Sequence, residues 1–452
     1  MSLTAFFGLL GGIVVLAFLA NRLAGWTRVP DVVVLMAAGM LLGPAFHLLD
    51  PSKFESVTHG FGALALILIL FEAGLDLEFR NTLRHFPGGV LLALLSYGIS
   101  LGGIAVFLKA AMHLTRLDAF LVAAAFACVS SSVMLPVLQQ MNLGIALKTT
   151  LVVEGALSDA LGVLGVGAIL DLSSPSHAGN QTNLTTLVMH HFAEQGTNSS
   201  IAGGVVGGFL LRVVISLALG ILVGYLWSRL LPLISEERFW QVLTFAAVLL
   251  VYAFADWAGG SSLFAVITFG AALANIPGKT RAEFEVNWWV APKFGDTHRQ
   301  LVAFHSELAF LVRTFFFVLL GLIVKFSGLR AAALPAAGIV AVIFLARWLS
   351  AQFSRLAMRD VQPIDIETIS LLVPRGLITA VLAFEIVDAK GAGFNFLSGL
   401  TFSVILLSNI LMLVATFRRP GASQDASAPE SPASSIEAVS QNQERRIPCA
   451  PV

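Results

Sequence analysis

Long apolar runs alternate with short polar interruptions through most of the chain. The runs fall near 4–21, 31–48, 57–77, 87–111, 116–140 and 147–170, and again near 203–230, 238–256, 260–277, 305–326, 331–356, 367–388 and 395–417. They are 18 to 28 residues long, and about 17–25 residues of α-helix suffice to cross roughly 30 Å of hydrocarbon. Thirteen such runs predict an all-α polytopic membrane protein, and an odd number puts the termini on opposite faces. The opening segment, MSLTAFFGLLGGIVVLAFLANR, has no basic residue ahead of its apolar stretch, so it reads as a retained first helix and not as a cleaved signal peptide.

The polar interruptions orient the chain. Counting Lys and Arg in and beside the loops gives fifteen on one side against seven on the other. Basic loops stay cytoplasmic, which places the N-terminus outside and the C-terminus in the cytoplasm of a multi-pass cell (inner) membrane protein. The polar loop at 172–200 then lies outside; its NQT, NLT and NSS triplets are formal glycosylation sequons of the kind any Asn/Ser/Thr-rich loop contains. After Pro420 the composition turns to Ser, Ala, Pro, Gln and Glu, and residues 418–452 read as a disordered cytoplasmic tail.

Composition narrows the function. Hydrophobic residues make up 57% and charged residues 12%, with mean hydropathy +0.86, which excludes an enzyme working in water. The formal net charge of zero and the lack of a basic stripe exclude nucleic-acid partners. Forty glycines suit close helix–helix approach in lipid. Cys128 and Cys449 imply no disulfide framework.

Two internal echoes suggest a repeat. LMAAGMLLGPAF at 35–46 matches TFGAALANIPGK at 268–279, aligning Pro44 with Pro277, and LILFEAGLDLEF at 68–79 matches TFFFVLLGLIVKF at 314–326, aligning Gly74 with Gly321. The offsets of 233 and 247 residues both span seven helices, so the halves are inverted relative to each other. Inverted repeats with a site at the midplane characterise many secondary transporters. Chance similarity among Gly/Leu-rich segments is the competing explanation.

The informative residues are charges inside apolar runs: Glu72, Glu154 and Asp159, with Arg313, Arg347 and Arg375. Such a group costs about 2.5–3.5 kcal/mol at a helix centre, so it is either partnered or functional. Mutual neutralisation into structural ion pairs is one reading for any of the arginines. For Asp159 the spacing argues otherwise. Glu154 and Ser158 are four apart and share a helix face, whereas Asp159 lies about 140° from Glu154. One carboxylate is thus free to pair with an arginine while the other faces a polar cavity. A lone carboxylate there is neutralised by a proton or by a hard monovalent cation, and poorly by both at once. That competition is a minimal exchange mechanism.

Two segments predict interrupted helices. FACVSSSVMLPVLQQ at 126–140 puts Ser130, Ser131, Ser132 and Pro136 in the fifth span, and SLLVPRGLITAVLA at 370–383 puts Pro374, Arg375 and Gly376 in the twelfth. Proline removes a backbone donor, and unwound backbone survives in a bilayer only where protein or a cavity surrounds it. Freed carbonyls and serine hydroxyls are hard oxygen donors suited to Na⁺ or Li⁺. Arg375 is placed to neutralise the negative half-helix ends where the breaks meet. An ordinary Pro kink with back-bonded serines is the alternative for the fifth span.

Together these segments resemble the monovalent cation:proton antiporters of the NhaP, or sodium–proton exchanger, type, over about residues 4–417. EGALSD at 154–159 is similar to the acidic signature of that family, LFEAGLDL at 70–77 and TFFFVLLG at 314–321 to its third- and tenth-helix segments, FLARWL at 344–349 to its basic eleventh helix, and VPRGLITAVLA at 373–383 to its Arg-Gly twelfth. The resemblance implies a transmembrane antiporter domain at 1–417, with core helices at about 87–170 and 331–417 and dimerisation or scaffold helices at about 4–77 and 203–326. It implies that Asp159 binds Na⁺ and H⁺ with Glu72 at the same site, that Glu154 pairs with Arg347, and that Arg375 stabilises the helix crossing. It implies a homodimer in membrane lipid, serving pH homeostasis without a cofactor. Arginine in the eleventh helix with a single aspartate in the acidic pair resembles the electroneutral branch. The chain departs from the pattern at Ser130-Ser131-Ser132, where Thr-Asp-Pro is usual and where Kef-type potassium/proton relatives carry serines. Gly155 and Ser158 also replace a serine and an asparagine, which leaves open whether Ser158 marks an altered ion site. Arg313 carries no family role. A sodium-coupled solute symporter is a further alternative. An intramembrane enzyme lacks its marks, HExxH or GxGD, and His190 and His191 sit in a polar loop.

Overall fold

A computed structural model of the protein describes residues 3–27, 29–46, 55–75, 86–141, 143–173, 201–234, 237–283, 291–324, 326–354 and 363–418. The loop with His190 and His191, the three sequons and the tail lie outside these residues, apart from Arg418 at the end of the last helix. Among the described residues the secondary structure is helical, as a bilayer demands of any spanning chain that does not close into a barrel.

In chain order the helices are α1 (Leu3–Thr27), α2 (Asp31–Met40), α3 (Glu55–Leu75), α4 (Phe86–Met112), α5a (Arg116–Ala127), α5b (Ser131–Gln140), α6 (Ile145–Ser173), α7 (Ile201–Ile234), α8 (Trp240–Trp257), α9 (Ser262–Glu283), α10 (Ala291–Ile323), α11 (Phe326–Ser354), α12a (Pro363–Leu371), α12b (Leu377–Lys390) and α13 (Phe396–Arg418). Eight described spans are long and apolar enough to cross a membrane, counting α5a with α5b, and four shorter apolar helices accompany them. Helix and apolar run do not coincide everywhere. The α10 helix starts at Ala291, well before the apolar run near 305, because a helix continues beyond the hydrocarbon while hydropathy marks only the embedded part. At Pro44 the second span widens into a π-helical turn, Leu41–Ala45, where Phe46 N–H reaches back to the Leu41 carbonyl at 3.1 Å. Proline cannot donate to the ladder, and a π-turn absorbs the mismatch.

The packing obeys the inverted symmetry hinted at by the sequence. Shifting every helix number by seven maps α2 packed on α10 onto α9 packed on α3, and both pairs are in contact. The contacts of α4 with α5a and α6 recur as α11 with α12a and α13, those of α1 with α2 as α8 with α9, and those of α1 with α10 as α8 with α3. One group comprises α4–α6 and α11–α13, the other α1–α3 and α7–α10; they meet where α3, α9 and α10 touch α5b, α6, α12b and α13.

Small residues set the closest of these approaches. In the α2–α10 pair Gly39 and Gly321 face each other, and a Cβ on Gly321 would collide with the Met36 carbonyl. Gly74 and Gly270 play the same part between α3 and α9. We expect Gly321→Val to push α2 from α10 at a cost of about 1–3 kcal/mol. Thermal unfolding of the purified protein in detergent should show a lowered midpoint, whereas Gly328→Ala, which meets open space, should leave it unchanged.

Candidate ion-binding site

The site forms where two spans stop being helical. Between α5a and α5b the chain is extended at Cys128 and Ser130, and between α12a and α12b the helix is interrupted at Leu372–Gly376. Ser130 N–H donates to the Pro374 carbonyl at 3.0 Å, so each break supplies a partner for the other. Neighbours take up the rest. Ser158 Oγ on α6 accepts Val129 N–H at 2.8 Å, Ser408 Oγ on α13 accepts Arg375 N–H at 3.1 Å, and Asn409 Nδ2 donates to the Arg375 carbonyl at 2.8 Å. Buried backbone groups left without such partners cost several kcal/mol each in hydrocarbon.

Breaking a helix also creates charged ends. Ala127 is the last residue of α5a, and its carbonyl accepts from Arg375 Nη2 at 3.3 Å. A cation at a helix C-terminus opposes the partial negative charge there. The Nε and Nη1 of Arg375 are buried without a hydrogen-bond partner. At the opposite pole, the N-terminus of α5b meets an anion: Asp159 Oδ2 accepts both the Ser131 N–H at 3.2 Å and the Ser131 hydroxyl at 2.5 Å. Asp159 is fully buried, forms no ion pair among the described residues, and its Oδ1 has no partner.

Glu154, one and a half turns earlier on α6, faces elsewhere. Both its oxygens engage the Arg347 guanidinium on α11, Oε2 at 2.7 Å from Nη2. Arg347 also donates from Nε to the Ile369 carbonyl on α12a at 3.1 Å and from Nη1 to Ser96 Oγ on α4 at 3.3 Å. One buried guanidinium thus ties α4, α6, α11 and α12a together.

Glu72 does not touch Asp159. It is partly buried near the end of α3 and accepts a hydrogen bond from Ser306 Oγ on α10. A cavity of about 210 Å³ connects the two regions: its lining includes Glu72, Ser306 and Arg313 on one side and Ser131, Ser132 and Ala156 on the other. Ser131 is the link, lining the cavity and holding Asp159. Ser130 and Ser132 share a hydroxyl–hydroxyl contact at 3.2 Å. Ser158 is committed to Val129 through one lone pair, which leaves its hydroxyl proton available.

Sequence reasoning missed Ser306, Asp31, Ser96, Ser408 and Asn409. The polar Ser408-Asn409 pair inside an apolar run was a signal; Ser306 and Asp31 flank runs, where polar residues are ordinary. Arg313 Nη1 donates to the Ser132 carbonyl at 3.1 Å and Nη2 lies 3.8 Å from Asp31 Oδ2.

Replacing Arg347 by Ala strands the Glu154 charge in the bundle, a loss of about 3–5 kcal/mol. Thermal melts in detergent should show strong destabilisation by Arg347→Ala and partial recovery in Arg347→Leu combined with Glu154→Leu.

The chain matches the transmembrane domain family described as sodium/hydrogen exchanger over residues 13–419. It is 23% identical to "Na(+)/H(+) antiporter 1" of Methanocaldococcus jannaschii over 397 residues, 85% of this chain and 84% of that one. The fold is similar to the structure of the sodium proton antiporter MjNhaP1 from the same organism at pH 8, with TM-score 0.72, 21% identity and coverage of 92% and 100% of the two chains. It is also similar to an electron-microscopy map of that antiporter, with TM-score 0.67, 22% identity and coverage of 92% and 97%. With the family match covering nearly all of the helical bundle, this chain belongs to the sodium/hydrogen exchanger family.

Proposed function

We propose that the protein exchanges Na⁺ (or Li⁺) for H⁺ by alternating access, one cation for one proton, at Asp159. The observation that carries this reading is the unpartnered Oδ1 of a fully buried carboxylate held by Ser131, which also lines a cavity shared with Glu72, Ser306 and Arg313. A bare carboxylate there is unfavourable, so the site is occupied by a proton or by a cation before it crosses the barrier. Ser131 Oγ and Asp159 are the first oxygen ligands of the cation, a donor set suited to a hard ion. Glu72 stands across the cavity as the electrostatic attractor for an incoming cation. Glu154 is already paired with Arg347.

The helix grouping supports a division of labour. Helices at about 87–170 and 331–417 form the moving core that carries Asp159, and those at about 4–77 and 203–326 form the scaffold, which dimerises with a second copy. With the charge asymmetry of the loops, the N-terminus is outside and the C-terminus cytoplasmic. One-for-one exchange leaves the cycle electroneutral, since Asp159 crosses the barrier neutralised either way.

Everted membrane vesicles bearing the protein should dissipate a pH gradient when Na⁺ or Li⁺ is added, and Asp159→Asn should abolish the response. Silence of the wild type with Na⁺, Li⁺ and K⁺ between about pH 6 and 9 sinks the antiport reading. Because proton and cation compete for one carboxylate, the apparent KM for Na⁺ should rise as pH falls while the maximal rate holds. An imposed membrane potential should leave the rate unchanged; acceleration by potential contradicts one-for-one exchange.

A further inference from the structure

The contact between Arg313 and Ser132 has a specific cause. Pro136 sits inside α5b and has no N–H, so the carbonyl of Ser132, four residues earlier, lacks the donor an α-helix would supply. Arg313 Nη1, on α10, gives that carbonyl its hydrogen bond at 3.1 Å. The other amino group is held from the scaffold side, 3.8 Å from Asp31 at the start of α2. Ser132 is the neighbour of Ser131, whose N–H and hydroxyl hold Asp159. The guanidinium therefore bonds the residue next to the one that holds Asp159, across the seam between the two helix groups.

A helix that made its own bond to Ser132 would keep it in every conformation. A bond supplied from a different body persists only while the two bodies keep this alignment. Hydrogen bonds to a charged donor are roughly twice as strong as neutral ones, so the alignment that contains it is favoured. Glu72 and Asp31 offset the positive charge that Arg313 brings to a cation cavity.

We propose that Arg313 is a positioning residue of the exchange cycle: it stands in for the missing Pro136 N–H and thereby holds α5b, with its ion-binding serine, in the present one of two alternating positions. This rests on the antiport reading with α5b in the moving core. Arg313 touches neither cation nor proton; it sets how often the site faces the side that this conformation serves.

The test is the sidedness of cation affinity, measured with the full chain in right-side-out and everted vesicles. Affinity seen from one side scales with the population of the state open to that side. Arg313→Gln should therefore raise the apparent KM for Na⁺ on one face and lower it on the other, by roughly three- to tenfold. Arg313→Lys, which keeps a charged donor, should restore most of the wild-type balance. Pro136→Ala gives Ser132 an intrahelical N–H and should shift both KM values in the same directions as Arg313→Gln, with little further change when the two are combined. Unchanged KM values on both faces, or equal changes on both, overturn the proposal while leaving antiport standing. A silent wild type overturns both readings together.

Discussion

A single backbone hydrogen bond, Ser130 N–H to the Pro374 carbonyl, joins the two places where this bundle abandons the helix. In hydrocarbon there is no water to satisfy a freed peptide group, so an isolated break would be costly. Two breaks placed against each other serve as one another's partners, and Ser158, Ser408 and Asn409 from α6 and α13 complete the set. The rest of the site follows. Once the helices are broken there, half-helix ends exist at the middle of the protein, and those ends can hold charge.

The charges are sorted by what each end requires. Arg375 lies against the C-terminal carbonyl of α5a, and Asp159 against the N-terminal amide of α5b. Glu154 and Arg347 neutralise each other and spend their remaining capacity on tying four helices together. The result leaves Asp159 a buried carboxylate with one oxygen free of hydrogen bonds, as are Nε and Nη1 of Arg375. Ser131, which holds that carboxylate, also lines the cavity that reaches Glu72.

The inverted symmetry explains how one set of contacts accomplishes this twice over. The broken spans α5 and α12 are seven helices apart and pack against each other, and the same shift of seven maps the packing pair α2–α10 onto α9–α3. Glycine faces at Gly39–Gly321 and Gly74–Gly270 bring these flanking helices into backbone contact. Pro136 breaks the symmetry of bonding within α5b, and a guanidinium from the neighbouring group fills the gap.

Much of this was legible in the chain itself. Apolar length dictated helices and their number, because the bilayer thickness fixes how many residues a span needs. Pro374-Arg375-Gly376 and the serines at 130–132 marked the breaks, since proline and glycine act on the local backbone wherever they stand. The spacing of Glu154 and Asp159 sent them to different neighbours by helix geometry alone, and the structure places them against Arg347 and Ser131. What spacing could not reach were partners from distant sequence. That Ser306 would hold Glu72, that Asn409 would cap the Arg375 carbonyl, and that Arg313 would serve a carbonyl orphaned by Pro136 depends on which helices lie side by side. A hydrogen bond needs two atoms within about 3 Å, and for residues 181 or 234 positions apart only the tertiary packing decides that.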